Sequence, residues 1–143
     1  MSSLAYISVI SSFLAVCQAD VQRIGVMGTL YCKGKPFQGA TVTIVDKNTG
    51  PDTGLDEKKT DNNGSFLLDA TSSSLTSKID PYLKIYHTCD TSRLQLCKRR
   101  WVFKIPKDQI FSKNDKKFKP VNFGLAELTF VPNQEDSKCT PVG

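Results

Sequence analysis

The sequence predicts an all-β domain, an antiparallel sandwich of seven to eight short strands, and three observations predict it. Val, Ile, Thr, Tyr and Phe recur with period two in short runs, turn-forming clusters separate the runs, and sustained helical periodicity is absent. With 143 residues, 39% of them hydrophobic, 9 Gly and 7 Pro, the chain suits one packed core and is neither collagen-like nor wholly disordered.

Residues 1–19 read as a secretory signal peptide. An apolar stretch from Leu4 to Cys17 is broken by Ser8, Ser11 and Ser12 and ends in small residues, with Cys17 and Ala19 placed for cleavage before Asp20. The serine interruptions fit a cleaved leader better than a membrane span, although no Lys or Arg precedes the apolar stretch. Residues 20–143 are then the mature domain, expected to be soluble and extracellular.

Ile24, Val26, Gly28 and Leu30 share one face of a first strand, and Val42 and Ile44 share one face of a second, with Lys33-Gly-Lys-Pro36 and Gln38-Gly39 turning between them. Asp61-Asn-Asn-Gly64 is a hairpin signature joining residues 57–60 to 65–69, because Asn and Gly tolerate positive φ. Further strands are expected over 82–89, 96–105, 116–123 and 125–131, with a short helix or turn near 107–111. Residues 48–56 and the Ser/Thr-rich 70–78 read as loops. The expected core includes Leu83, Ile85, Trp101, Phe103, Ile105, Phe123, Leu125 and Phe130.

Removal of Cys17 with the leader leaves four cysteines, Cys32, Cys89, Cys97 and Cys139, an even set consistent with two disulfides in an oxidising compartment. Three pairings are possible. The short separation across a hairpin favours Cys89 with Cys97, which leaves Cys32 to tie the first strand to the tail through Cys139. A structural zinc site is disfavoured, since there is no Cys-x-x-Cys and His87 is the sole histidine.

An ordered set of segments resembles the nematode transthyretin-like family: Gly28-Thr-Leu-Tyr-Cys32-Lys-Gly-Lys-Pro36, Gly39-Ala-Thr-Val42, Thr60-Asp-Asn-Asn-Gly-Ser-Phe66 and, most specific, Ile79-Asp-Pro-Tyr-Leu-Lys-Ile-Tyr-His-Thr-Cys89. The resemblance extends over about 24–139. It implies a secreted transthyretin-like (prealbumin-like) sandwich. It also implies a family in which some members act in signalling between cells or bridge exposed phosphatidylserine on dying cells to a phagocyte receptor. Fold alone does not carry such a role from one member to another.

Catalysis is not expected. Hydroxyisourate hydrolases of the same fold use several His and Arg residues and a Tyr-Arg-Gly-Ser ending, whereas this chain has His87 alone and ends Thr140-Pro-Val-Gly143. His87 shares strand parity with Leu83, Ile85 and Cys89, which predicts a packed histidine beside a disulfide rather than a general base. No cofactor is expected. Asp46, Asp52, Asp56, Glu57 and Asp61 are interleaved with lysines and lack EF-hand spacing, so they read as solvated loops and not as a metal site.

Charge distribution is the strongest functional signal. From Arg93 to Lys119 ten cationic residues stand against Asp108 and Asp115, a local net of +8 within a chain of net charge +5. Strand parity puts Lys98, Arg100 and Lys104 opposite Trp101 and Phe103, and with Arg99 these form the candidate binding residues for an anionic phospholipid or sulfated glycan surface. A cell-surface receptor is the expected second partner. Nucleic acid is not expected, for want of any recognised motif. The alternative function is carriage of a small hydrophobic ligand, and Asn63-Gly64-Ser65 is a candidate glycosylation sequon at Asn63.

Overall fold

The computed structural model describes residues 21–48, 50–73, 78–91 and 97–139. The expected leader, Arg93, and the tip of the Ser/Thr-rich loop lie outside them. Ten strands follow in chain order: β1 Gln22–Cys32, β2 Lys35–Pro36, β3 Thr41–Asp46, β4 Thr53–Lys59, β5 Ser65–Ser72, β6 Pro81–His87, β7 Cys97–Lys104, β8 Phe111–Ser112, β9 Val121–Glu127 and β10 Glu135–Cys139. A 3-10 turn, Lys107–Gln109, precedes β8, where a short helix or turn is expected.

Two five-stranded sheets form the expected sandwich. One runs β10-β7-β6-β3-β4; the other centres on β1, flanked by β5 and β9, with β2 and β8 at its ends. All pairings are antiparallel except β1 with β9, which runs parallel. That exception follows from the chain path, since residues 105–120 carry it from β7 in one sheet to the start of β9 in the other.

Period-two alternation places the core as read. Ile24, Val26 and Leu30 of β1, Val42 and Ile44 of β3, Leu68 of β5, and Leu83 and Ile85 of β6 are at most 2% exposed. The Asp61 carboxylate accepts from the N–H groups of Asn63 and Ser65, closing the β4–β5 hairpin. Gly64 at φ 74° is required there, because a Cβ would stand 2.3 Å from the Leu30 carbonyl oxygen, whose own residue donates to the Gly64 carbonyl.

Several expectations are corrected. Residues 116–123 and 125–131 are not two strands but one, β9, kinked at Gly124 (φ 80°) where the register with β1 shifts. Residues 116–120 turn instead, with the Asp115 side chain accepting from the Lys117 N–H and Pro120 offering no donor. Two expected loops are shorter than read: β4 begins at Thr53 because it pairs with β3, and β5 continues to Ser72 because it pairs with Gln22 of β1. Of the expected core, Phe103 and Phe123 are only partly buried, whereas Leu125 and Phe130 are 63% and 67% exposed. Beyond the bulge Leu125 pairs with Thr29 on the outer face, and Phe130 lies past the end of β9.

The disulfides join Cys32 to Cys89 and Cys97 to Cys139, so the pairing of Cys89 with Cys97 and Cys32 with Cys139 is wrong. The reason is a strand whose residues read as a tail from sequence alone. β10 lies antiparallel beside β7 with Cys139 directly opposite Cys97, leaving Cys89, just past β6, to reach Cys32 across the sandwich.

Candidate functional site

β7 carries the predicted basic residues, and its pleat separates them. Cys97, Arg99, Trp101 and Phe103 face inward, while Lys98, Arg100, Val102 and Lys104 face out. Arg99, its side chain only 11% exposed, is an internal clamp rather than a surface charge. Its guanidinium donates to the carbonyls of Cys89, Leu128 and Phe130 at 3.1, 2.6 and 2.8 Å and to the Glu135 carboxylate at 2.8 Å. Glu135 also accepts from the Trp101 indole N–H at 2.7 Å, so one carboxylate from β10 locks two residues of β7.

Arg100 is likewise spoken for. It forks onto Asp136 at 2.6 and 2.5 Å, and this hydrogen bonding holds the Asp136 carboxyl below its ordinary range. Beside it Lys84 is bonded to Asp52 at 2.5 Å, which lowers the Asp52 pKa in the same way. The outer face of this sheet is thus a hollow of about 550 Å³ lined by Lys47, Lys84, Arg100, Asp52 and Asp136, with its charges largely compensated. Of the four predicted binding residues only Lys98 and Lys104 are exposed with no carboxylate partner among the described residues, and Lys98 stands opposite Lys138.

Uncompensated charge lies instead in the crossover after β7. Lys107, Lys113, Lys116, Lys117 and Lys119 are all exposed, and among the described residues none pairs with a carboxylate. The loop that carries them is anchored. The Phe118 ring stacks on the Arg23 guanidinium at 3.7 Å and meets Phe111 edge-on, Arg23 forks onto Asp69, and the Lys113 N–H donates to the Val21 carbonyl. These lysines were inside the basic segment seen in the sequence, but nothing local distinguished them from Arg99 and Arg100.

His87 behaves as its parity predicted. It is 2% exposed, accepts the Cys89 N–H on Nδ1 at 3.2 Å, and packs edge-on between Phe37 and Trp101. Its Nε2 has no partner among the described residues. Burial, reinforced by the neighbouring Arg99 charge, lowers its pKa to about 4. The unfolded chain therefore takes up a proton near pH 6.5 that the folded chain refuses until about pH 4, so stability falls as pH drops through that window. Wild-type protein is expected to lose about 2 kcal/mol more than His87→Phe between pH 7.5 and 5, read from urea midpoints. Parallel pH profiles would show that His87 is not the group responsible.

The acidic residues considered for calcium are used locally: Asp46 accepts from the Asn48 and Asp80 N–H groups, and Asp56 from those of Glu57 and Asp69. No group of three metal-binding side chains occurs among the described residues. Asn63 is exposed at the tip of the β4–β5 turn.

A second feature was not legible in the sequence. Between β7 of one sheet and the end of β9 of the other, an apolar cleft of about 630 Å³ opens, walled by Trp101, Phe103, Ala126, Phe130 and Pro132. Glu127 and Thr129, at the end of β9, complete its lining. The Glu127 carboxylate accepts from the Thr129 N–H and hydroxyl and from the Gly34 and Lys33 N–H groups, and these bonds lower its pKa to about 2. Lys33 and Gly34, both at positive φ, present their N–H groups side by side to that carboxylate, pinning the β1–β2 turn to the end of β9.

Comparison with known proteins supplies a family. A profile of the transthyretin-like family matches residues 27–106. Transthyretin-like protein 33 of Caenorhabditis elegans is 39% identical over 144 residues, covering 97% of this chain and 98% of that protein. Transthyretin-like protein 46 of the same organism is 37% identical over 80% of this chain and 64% of its own length, and transthyretin-like protein 5 is 37% identical over 64% and 66%.

Proposed function

The chain belongs to the transthyretin-like family, and on that premise we propose that it is a secreted, non-enzymatic binding protein that attaches to anionic cell surfaces. Residues 1–19 would be removed on export, and the mature domain, held by two disulfides, would act in extracellular recognition. No helix among the described residues is long and apolar enough to cross a membrane. Asn63, exposed beside a usable sequon, is the expected glycan acceptor.

The observation that carries the reading is the anchored crossover with five lysines, Lys107, Lys113, Lys116, Lys117 and Lys119, that pair with no carboxylate among the described residues and follow exposed Lys104 in the sequence. A rigid platform holding unneutralised ammonium groups suits phosphatidylserine headgroups, where each lysine contributes about 1 kcal/mol near a strongly anionic bilayer. Arg99 and Arg100 do not belong to this surface, because Glu135 and Asp136 consume them.

Charge reversal tests it. Changing Lys113, Lys116, Lys117 and Lys119 together to glutamate is expected to weaken binding to phosphatidylserine vesicles by about 100-fold or more at low salt, and Lys98→Glu alone by about 5-fold. Quadruple-variant binding equal to wild type would overturn the reading. Equal binding to heparin that vanishes at physiological salt would reduce it to generic electrostatics. The cleft beside Trp101 favours a second reading, carriage of a small hydrophobic ligand.

A further inference from the structure

We propose that the outer face of the β1–β5–β9 sheet is the surface that meets an anionic bilayer, with Met27, Leu67 and Leu125 entering the boundary between headgroups and acyl chains while lysines beside them hold the headgroups. The inference rests on the anionic-surface reading above and adds to it an orientation and an apolar component that salt does not screen.

Strand register gathers the apolar side chains. Met27 of β1 stands opposite Leu67 of β5, and two residues further along β1, Thr29 stands opposite Leu125 of β9, so all three project from one face. They are 42%, 49% and 63% exposed, whereas Val26 and Leu68, their neighbours in the chain, point into the core. Thr29 and Ser65, on the same face, hydrogen-bond to each other at 3.2 Å and so need less from water. One exposed apolar side chain is ordinary; three gathered on one sheet face mark a contact surface.

Two groups of cations border the patch. Lys58 and Lys59 of β4 wall a hollow of about 530 Å³ with Met27, Leu67 and Pro120, and the Lys58 ammonium donates to the Leu67 carbonyl at 2.9 Å, which fixes it beside that residue. The crossover docks on the same face. Phe118 and Pro120 lie over Gly25, 2.9 and 3.2 Å from the point a Cβ there would occupy, and exposed Lys117 and Lys119 flank Phe118 in the chain. None of these four lysines pairs with a carboxylate among the described residues. Asp69, on the same face, is forked by Arg23, and Asp61, in the hollow, accepts the hairpin N–H groups. Apolar side chains bordered by unneutralised ammonium groups suit an anionic bilayer, which offers negative headgroups at its surface and hydrocarbon just beneath. A sulfated glycan offers only the charge, and a neutral bilayer only the hydrocarbon.

The sole tryptophan, Trp101, is 3% exposed, so wild type gives a quiet baseline for a tryptophan introduced on the face. Oxidised Leu125→Trp protein would be mixed with phosphatidylcholine vesicles containing phosphatidylserine, their acyl chains brominated. Its emission is expected to shift to the blue and lose about half its intensity. Asn133→Trp, in the hollow on the outer face of the other sheet, should do neither. Met27→Ala/Leu67→Ala/Leu125→Ala removes apolar surface and no charge; it should weaken vesicle binding about 10-fold or more while retention on heparin, which has no acyl chains, stays within about 2-fold. Unchanged vesicle affinity in the triple variant, or no quenching in Leu125→Trp, would overturn the inference and leave a purely electrostatic attachment through the lysines. Equal quenching by vesicles of phosphatidylcholine alone would also overturn it, since charge would then play no part. A blue shift that appears without vesicles and grows with protein concentration would overturn it in favour of a contact between two copies of the chain. No binding of wild type to the charged vesicles at low salt would overturn it together with the reading on which it rests.

Discussion

Arg99→Met is expected to destabilise the domain by about 3 kcal/mol, or about 10 °C in Tm, whereas Arg100→Met, one residue away, costs about 1 kcal/mol or less. The difference is one of burial. The Arg99–Glu135 pair has side-chain exposures of 11% and 14%, and truncating Arg99 leaves that carboxylate with the Trp101 N–H alone and takes the Arg99 donor from three carbonyls. Asp136, the partner of Arg100, is 53% exposed, so water replaces the lost bond. Arg99→Met should also raise hydrogen exchange in residues 128–132, since the clamp on that segment is gone. Thermal unfolding of the two variants side by side decides it; equal losses would mean that the clamp contributes nothing beyond a surface pair.

Removal of the disulfides is expected to give the second large effect. The chain-entropy argument assigns each about 4 kcal/mol, for sequence separations of 57 and 42. Their surroundings then separate them. Cys89 is 1% exposed beside His87, and its bond to Cys32 links the two sheets, so Cys32→Ala/Cys89→Ala should cost about 5 kcal/mol. Cys139 is exposed on an edge strand that also pairs with β7 through backbone and ion pairs, so Cys97→Ala/Cys139→Ala should cost about 3 kcal/mol, with β10 fraying first. Denaturant unfolding orders the two double variants. Non-reducing peptide mapping checks the connectivity, and recovery of a Cys89–Cys97 linked peptide would contradict it.

Residues whose environment is set by their own strand were legible in advance. Ile24, Val26, Leu30, Val42, Ile44, Leu83 and Ile85 alternate with residues of the other face, and all are buried. His87 was placed beside a cystine by the same parity. Asp61 and Gly64 announced their hairpin, because turn chemistry needs only neighbours along the chain. The Gly124 bulge was missed, since a single residue at φ 80° moves Leu125 to the outer face and local parity carries no mark of it.

β10 is the instructive miss. Its sequence, Glu135-Asp-Ser-Lys-Cys139, has no apolar alternation and reads as a polar tail. Nothing in it declares a strand until β7 lies alongside with Trp101, Arg100, Arg99, Lys98 and Cys97 in register against it. That one pairing chose the disulfide partner of Cys97, buried Arg99 against Glu135, neutralised Arg100 with Asp136 and moved the free positive charge to the crossover lysines.

By itself the amino-acid order determined the fold class, the inward face of each main strand, the pair of disulfides as a number, the packed state of His87 and the family to which the chain belongs. Tertiary structure alone decided which cysteines join, which of the clustered cations among the described residues pair with Glu135 and Asp136, and that an aromatic-walled cleft opens between β7 and β9. The division has a physical cause. Side-chain direction and turn preference depend on dihedral angles within a few residues, whereas bond partners, charge compensation and cavities depend on which distant segment arrives opposite, and that is fixed only when the sheets assemble.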